Sequence, residues 1–168
     1  MIDTIVQQIV DGIRAGVNSE KQPERTSQLT DVLRKLADDM RLLQYDKSPN
    51  NREWMGIDYW WWAKKDERGW LAAESQWWIN EAAIFEDFEK LPSLKSDIKL
   101  MVFDAPKLEA ESLIKEFEKY LSAFSQHIQG ERYLVAWLDR DGGEWSFYAF
   151  NVPDSGKLPS AIVRFVSR

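Results

Sequence analysis

The chain has 168 residues, with 22 Lys and Arg against 28 Asp and Glu, a single His, no Cys and 44% apolar residues. This suits one domain with a sizeable core and excludes disulfide scaffolds, thiol catalysis and cysteine-based metal centres. The net charge of −6 argues against nucleic-acid capture by a broad basic surface. No apolar run approaches the roughly 20 residues that span a bilayer, and Asp3 and Asp11 stand where a leader would be basic, so a cytoplasmic protein with no membrane partner is expected.

Ile2, Ile5, Val6, Ile9, Val10, Ile13 and Val17 recur at three- and four-residue spacing, which predicts an amphipathic helix ending near Gly16. Leu29, Val32, Leu33, Leu36, Met40 and Leu43 repeat the pattern, predicting a second helix that is capped by Thr26 or Ser27 and runs to about Gln44. A turn is expected over Lys47-Ser-Pro-Asn-Asn51. Residues from Glu53 to Ala63 and from Gly69 to Trp78 are aromatic, β-branched or small. They flank the charged stretch Lys64-Lys-Asp-Glu-Arg-Gly69 and predict a hairpin.

Asn80 is suited to cap a short helix with Ile84, Phe85, Phe88 and Leu91 on one side, ended by Pro92. The apolar run Ile98-Lys-Leu-Met-Val-Phe103 then reads as a buried strand, so that strand, helix and strand make a right-handed βαβ unit with parallel strands. A long helix follows from about Lys107 to Gln129, stopped by Gly130. Strands from Arg132 to Leu138 and from Trp145 to Val152 flank the glycine turn at Gly142 and Gly143, and a last short strand spans Ala161 to Val166. The fold class is therefore mixed α/β: a central mixed sheet with a β-hairpin and a βαβ unit, covered by helices, in a single domain over 1–168.

Alternation in the hairpin puts Gly56, Asp58, Trp60 and Trp62 on one face of the first strand, and Ala72, Glu74 and Gln76 on one face of the second. If the register brings those faces together, Asp58, Glu74 and Gln76 converge. Glu74 lies among apolar residues, where a carboxylate needs a metal, a basic partner or hydrogen bonds. Two carboxylates with the carbonyl of Ser75 make a reasonable oxygen site for Mg²⁺ or Mn²⁺, ions suited to phosphodiester hydrolysis. The alternative from spacing alone is structural, with Asp58 paired to a nearby Lys or Arg and Glu74 satisfied in the fold.

These segments resemble a family. Ile57-Asp58, the hairpin, Ala72-Ala-Glu74-Ser-Gln76-Trp77, Asp87-Phe-Glu-Lys-Leu91 with Leu94-Lys95, and Ile98 to Phe103 look like the core of the PD-(D/E)XK nuclease superfamily. The resemblance spans about 26–104, with 1–25 an N-terminal helix and connection and 105–168 a helix and strands extending the sheet. It implies a restriction-endonuclease-like α-β-β-β-α-β core and Mg²⁺-dependent cleavage of DNA. By it, Asp58 matches the motif aspartate, Glu74 the glutamate and Gln76 the position usually held by Lys. Gln can orient a water but supplies no positive charge. Some superfamily members carry Gln or Glu there. A further acid from the preceding helix, Asp38 or Asp39, is a candidate ligand, and the family commonly has two strands before the glutamate where only one is evident here, unless residues near Asn51 to Trp54 form a short extra one.

Nine Trp, seven of them between Trp54 and Trp78, make either an unusual core or an exposed aromatic surface. Trp60, Trp62, Trp77 and Trp78 at alternating strand positions favour packing against helices over stacking on bases. Lys64, Lys65 and Arg68 read as a solvated turn more readily than a phosphate contact. His127, late in a helix, reads as a surface residue.

Three functions follow from these features. The first is a Mg²⁺-dependent nuclease acting on DNA, with Asp58 and Glu74 as ligands and Gln76 positioning water. The second is a nuclease fold without catalysis that serves as an assembly module, through self-association as a homodimer or a protein partner at a Trp-rich surface. The third is an acidic regulator or immunity-type inhibitor, which requires Glu74 to be buried in an ion pair.

Overall fold

The computed structural model describes residues 2–46, 56–63, 69–77 and 80–152, together with the backbone of 162–165. Helix α1 (Ile2–Gly16) buries Ile5, Ile9 and Ile13, the stripe that its periodicity predicts. Helix α2 (Gln22–Asp39) buries Leu29, Leu33 and Ala37. The two helices meet at small residues, because a Cβ on Gly16 would stand 2.4 Å from a Val32 methyl.

Two ends of α2 differ from the sequence reading. It starts at Gln22, with Pro in its first turn and no side-chain cap from Lys21. Thr26 lies inside it and accepts a hydrogen bond from the Trp77 indole at 2.9 Å. Proline at the first helical positions gives up an N–H that would be unsatisfied in any case. At the other end the helix stops at Asp39, not near Gln44. Arg41 takes φ 55°, and Leu43–Asp46 becomes a strand, β1. A helical spacing of Met40 and Leu43 is outweighed there by pairing with the next strand, β2 (Tyr59–Trp62), in the register Gln44↔Trp61 and Tyr45↔Trp60.

The hairpin is present. β2 pairs antiparallel with β3 (Gly69–Trp77), with Tyr59↔Ala73 and Trp60↔Ala72. Gly69 is required at its start, since a Cβ there would lie 2.5 Å from both the Lys95 carbonyl oxygen and the Trp60 ring. The expected turns at 47–51 and 64–68 lie outside the described residues, as do Trp54 and Trp78.

Asn80 caps α3 (Glu81–Phe88), its side chain accepting from the Ala83 amide at 2.9 Å. A 3-10 turn at Leu91–Ser93 leads into β4 (Ser96–Ala105), which runs parallel to β3 and so completes the βαβ unit. Helix α4 (Lys107–Ala123) ends before the expected Gln129, because Phe124 is extended, and the chain continues irregularly to β5 (Arg132–Asp139). β5 lies parallel to β4 and antiparallel to β6 (Trp145–Asn151), which pairs with β7 (Ile162–Phe165).

The seven strands form one mixed sheet in chain order. Period-two alternation divides its side chains. Tyr59, Trp61, Leu71, Ala73, Trp77, Leu100 and Val102 pack with α1 and α2. Trp60, Ala72, Met101, Phe103 and Val135 pack with α3 and α4. All ten residues of β4 are buried, as expected for a central parallel strand covered on both faces. No helix among the described residues is long and apolar enough to cross a membrane.

Candidate carboxylate site

Asp58 stands just before β2, after Gly56 at φ 74°. The β2–β3 register begins at Tyr59↔Ala73, and Asp58, in the bend just before it, reaches Ser75 on β3, the residue next to Glu74. Both acids are buried, at 4% and 2% exposure. Their side chains have different neighbours. One Asp58 oxygen accepts from the Ser75 amide at 3.1 Å and from the Ser75 hydroxyl at 2.9 Å. Glu74 follows Ala72 onto the face that carries α3, where the Lys90 ammonium is 3.7 Å from its Oε1. Lys90 also binds Asp87 one turn back, at 2.6 Å. Gln76, half-buried, follows Glu74 on the same face by alternation.

Within a strand a residue directs its N–H and its C=O to the same neighbouring strand. The Ser75 amide points to Asp58, so its carbonyl faces that side too. The oxygens on this edge are thus the Asp58 carboxylate and the Ser75 carbonyl, while the Glu74 carboxylate lies against Lys90 on the α3 face. Oxygen donors suit an ion that keeps several waters, and Asp58, Glu74 and the Ser75 carbonyl are the residues of this stretch that could contribute to one. No cluster of three or more His, Asp or Glu side chains able to hold a metal occurs among the described residues. Asp38 and Asp39 are exposed in the last turn of α2.

Tyr59, next to Asp58, is buried and hydrogen-bonded to Thr30 at 3.1 Å. Burial, with the neighbouring Asp58 charge, pushes its phenol up to about 12, and the Thr30 bond opposes that shift.

Two groups read as ordinary from the sequence carry more. Lys90 is one: nothing in the run Glu-Lys-Leu-Pro marks it, and only the crossover from β3 through α3 brings it to Glu74. The other is a buried cluster on β4 and β5. Lys99 is fully buried and ion-paired with Glu131, which also accepts from the Tyr133 hydroxyl at 2.8 Å. His127 is not a surface residue. Its Nδ1 lies 2.8 Å from Glu131 and its Nε2 donates to the Leu121 carbonyl at 2.7 Å, so it ties the end of α4 to β5. A lysine inside an otherwise apolar strand is the sequence signal for such a buried partner.

Of the described tryptophans, Trp60, Trp61, Trp77, Trp137 and Trp145 are buried, and Trp62 and Trp70 are half-buried. The core reading of the aromatic run holds for these residues, because each strand is covered on both faces. A cavity of about 610 Å³ lies away from Glu74, at the ends of β4 and β5. Its arginines, Arg25 and Arg140, both bind the buried carboxylate of Asp104, at 2.6 and 3.1 Å.

No protein-family model matches the chain, and no curated protein matches it significantly. Among solved structures, the crystal structure of the central domain of yeast acetyl-CoA carboxylase is similar at 12% identity, with a TM-score of 0.48, over 91% of this chain and 29% of that one. The chain thus spans less than a third of that structure, and a likeness at this level bears on neither fold family nor chemistry.

Proposed function

We propose that this chain is a Mg²⁺-dependent nuclease of the restriction-endonuclease-like fold, hydrolysing phosphodiester bonds in DNA. The observation that carries this reading is the burial of two acids close together, Asp58 hydrogen-bonded to Ser75 and Glu74 the residue before it on β3. The element order α2-β1-β2-β3-α3-β4 supports it, since it repeats the α-β-β-β-α-β order that the resemblance implies. Two strands, β1 and β2, precede β3 in this order, while the extra strand expected near 51–54 lies outside the described residues.

In this reading Asp58, Glu74 and the Ser75 carbonyl hold the ion, which when bound supplies positive charge to the scissile phosphate and the attacking water. Gln76 orients that water through its amide, donating from nitrogen and accepting at oxygen. The apolar residues around Glu74 keep bulk water from it, which strengthens its hold on a cation.

Calorimetric titration with Mn²⁺ and Mg²⁺ tests this without knowledge of the substrate sequence. Wild-type binding that disappears in Asp58→Ala and in Glu74→Ala, with both variants folded, is the expected result. Binding unchanged in both variants, or none by the wild type up to millimolar ion, would remove it.

The Lys90 contact with Glu74 favours a second reading, a nuclease fold retained as a structural or inhibitory module with Glu74 satisfied by an ion pair. The variant Glu74→Gln separates the two. A buried acid kept for function costs stability, so the neutral isostere raises the melting temperature. A lower melting temperature marks a structural pair.

A further inference from the structure

Arg132 opens β5 on the face of the sheet that carries α1, opposite the face where Lys90 meets Glu74. It pairs with Ile98 on β4 and with Asn151 on β6, and Ile98 packs with α1 and α2. Its Nη1 donates to the Gly130 carbonyl at 3.0 Å. Its Nε is buried and has no hydrogen-bond partner among the described residues. The Asp3 carboxylate, 3.6 Å away, stands beyond hydrogen-bond reach on a side chain that is 86% exposed. Glu131, next in the chain, is engaged by Lys99 and Tyr133. A buried guanidinium donor without an acceptor is costly, which points to an acceptor brought from outside. The same side chain lines a cavity of about 250 Å³ between α1 and the β5–β6 pair, walled by Val6 and Val10 of α1 and by Ala149 and Asn151 of β6. Strand alternation orders this wall. Asn151 lies beside Arg132, and Ala149 lies two residues further along β6 on the same face, so the cavity is polar at one end and apolar at the other.

We propose that this cavity is a binding site for a short aliphatic monocarboxylate, with Arg132 holding the carboxylate and Val6, Val10 and Ala149 covering the tail. The inference is independent of the nuclease reading. With Nη1 engaged by a backbone carbonyl, the edge formed by Nε and Nη2 remains, and two parallel N–H groups on that edge match the two oxygens of a carboxylate. The Asn151 amide, beside the guanidinium, is a further donor to the same group. Asp3 at the rim sets the charge of the ligand. One guanidinium facing one carboxylate tolerates a monoanion better than a dianion such as phosphate. It also competes for Arg132 in the protein alone, and its exposure lets it swing away when a ligand arrives. The volume lies below the roughly 300–1,000 Å³ of sites for drug-sized ligands, so the tail is short. Its wall is made of methyl groups, all on buried residues, which suits an alkyl chain.

The test uses the full chain and a ligand-observed NMR titration with sodium hexanoate, sodium acetate, 1-hexanol and inorganic phosphate. The wild type is expected to bind hexanoate at millimolar concentration or below. Acetate, which lacks the tail, and 1-hexanol, which lacks the charge, are each expected to bind at least about 10-fold more weakly. Arg132→Met is expected to lose at least about 10-fold in hexanoate affinity, the size of a hydrogen bond to a charged group. Asp3→Asn, at an exposed position, is expected to tighten hexanoate roughly 2- to 5-fold by removing the competing carboxylate. A purely structural arginine predicts no such gain. Hexanoate bound no better than 1-hexanol or acetate overturns the proposal, as does phosphate bound more tightly than hexanoate. No binding of hexanoate by the wild type at millimolar concentration also overturns it, as does unchanged affinity in a folded Arg132→Met. Where Arg132→Met has a lowered melting temperature, Asp3→Asn decides, and an affinity unchanged there overturns the assignment.

Discussion

Ser75 gives both its amide and its hydroxyl to one oxygen of Asp58, at 3.1 and 2.9 Å. Two donors on one carboxylate oxygen pin the acid to the edge of β3 just before β2 begins.

The first prediction concerns that pair. Ser75→Ala removes the hydroxyl and keeps the amide, so urea unfolding is expected to show a loss of about 1.5–3 kcal/mol, the range for a hydrogen bond to a charged group. Asp58→Ala removes both bonds and also a buried charge. Its loss is therefore expected to be smaller than twice that of Ser75→Ala. A Ser75→Ala variant as stable as the wild type would mean that water replaces the hydroxyl and that Asp58 is not held by it.

A second prediction follows from the Lys99 and Glu131 pair, whose side chains are 0% and 1% exposed. Removing one partner strands the other charge in the core, and such losses run to about 3–5 kcal/mol. Lys99→Met alone is expected in that range, while Lys99→Met with Glu131→Gln is expected to lose clearly less than the two single changes summed. A double-mutant cycle by urea unfolding measures this. Additive losses would show that the Tyr133 and His127 contacts, not the lysine, carry Glu131.

The third prediction is a pH dependence. Below pH 10 the Tyr59 phenol keeps its proton in both the folded and the unfolded chain. Above it the unfolded chain releases the proton while the folded chain retains it until about pH 12. The folded state then binds more protons, so stability falls as pH rises through that window. At 1.36 kcal/mol per unit, Tyr59 contributes about 2–3 kcal/mol of that fall. Tyr133, pushed up by burial and by Glu131, adds to it. Burial lowers Lys99, whose contribution has the opposite sign, so the informative comparison is between the wild type and Tyr59→Phe. The variant is expected to lose about 1 kcal/mol at neutral pH with the Thr30 bond and to show a shallower alkaline decline. Identical declines in the two proteins would show that Tyr59 ionises as readily in the folded chain as in the unfolded one.

Much of the architecture is written in local signals. The stripe of Ile5, Ile9 and Ile13 on α1, the cap at Asn80, the alternation across β2 and β3 and the apolar run of β4 each depend on residues within one or two turns or on strand period. They are readable because backbone periodicity and capping act over a few residues. Glu74 is likewise legible as a candidate, since a carboxylate inside an apolar strand is anomalous wherever the strand lies. Tertiary structure decided what local signals leave open. Leu43–Asp46 is a strand because β2 offers it an edge, against a helical spacing that continues into it. Asp58 meets Ser75, Lys90 meets Glu74, and His127 joins Leu121 to Glu131 only once strand register and the β3–α3–β4 crossover are set. Those contacts are charge and hydrogen-bond pairings whose partners are chosen by which elements pack together, and that choice comes from the energy of the whole core.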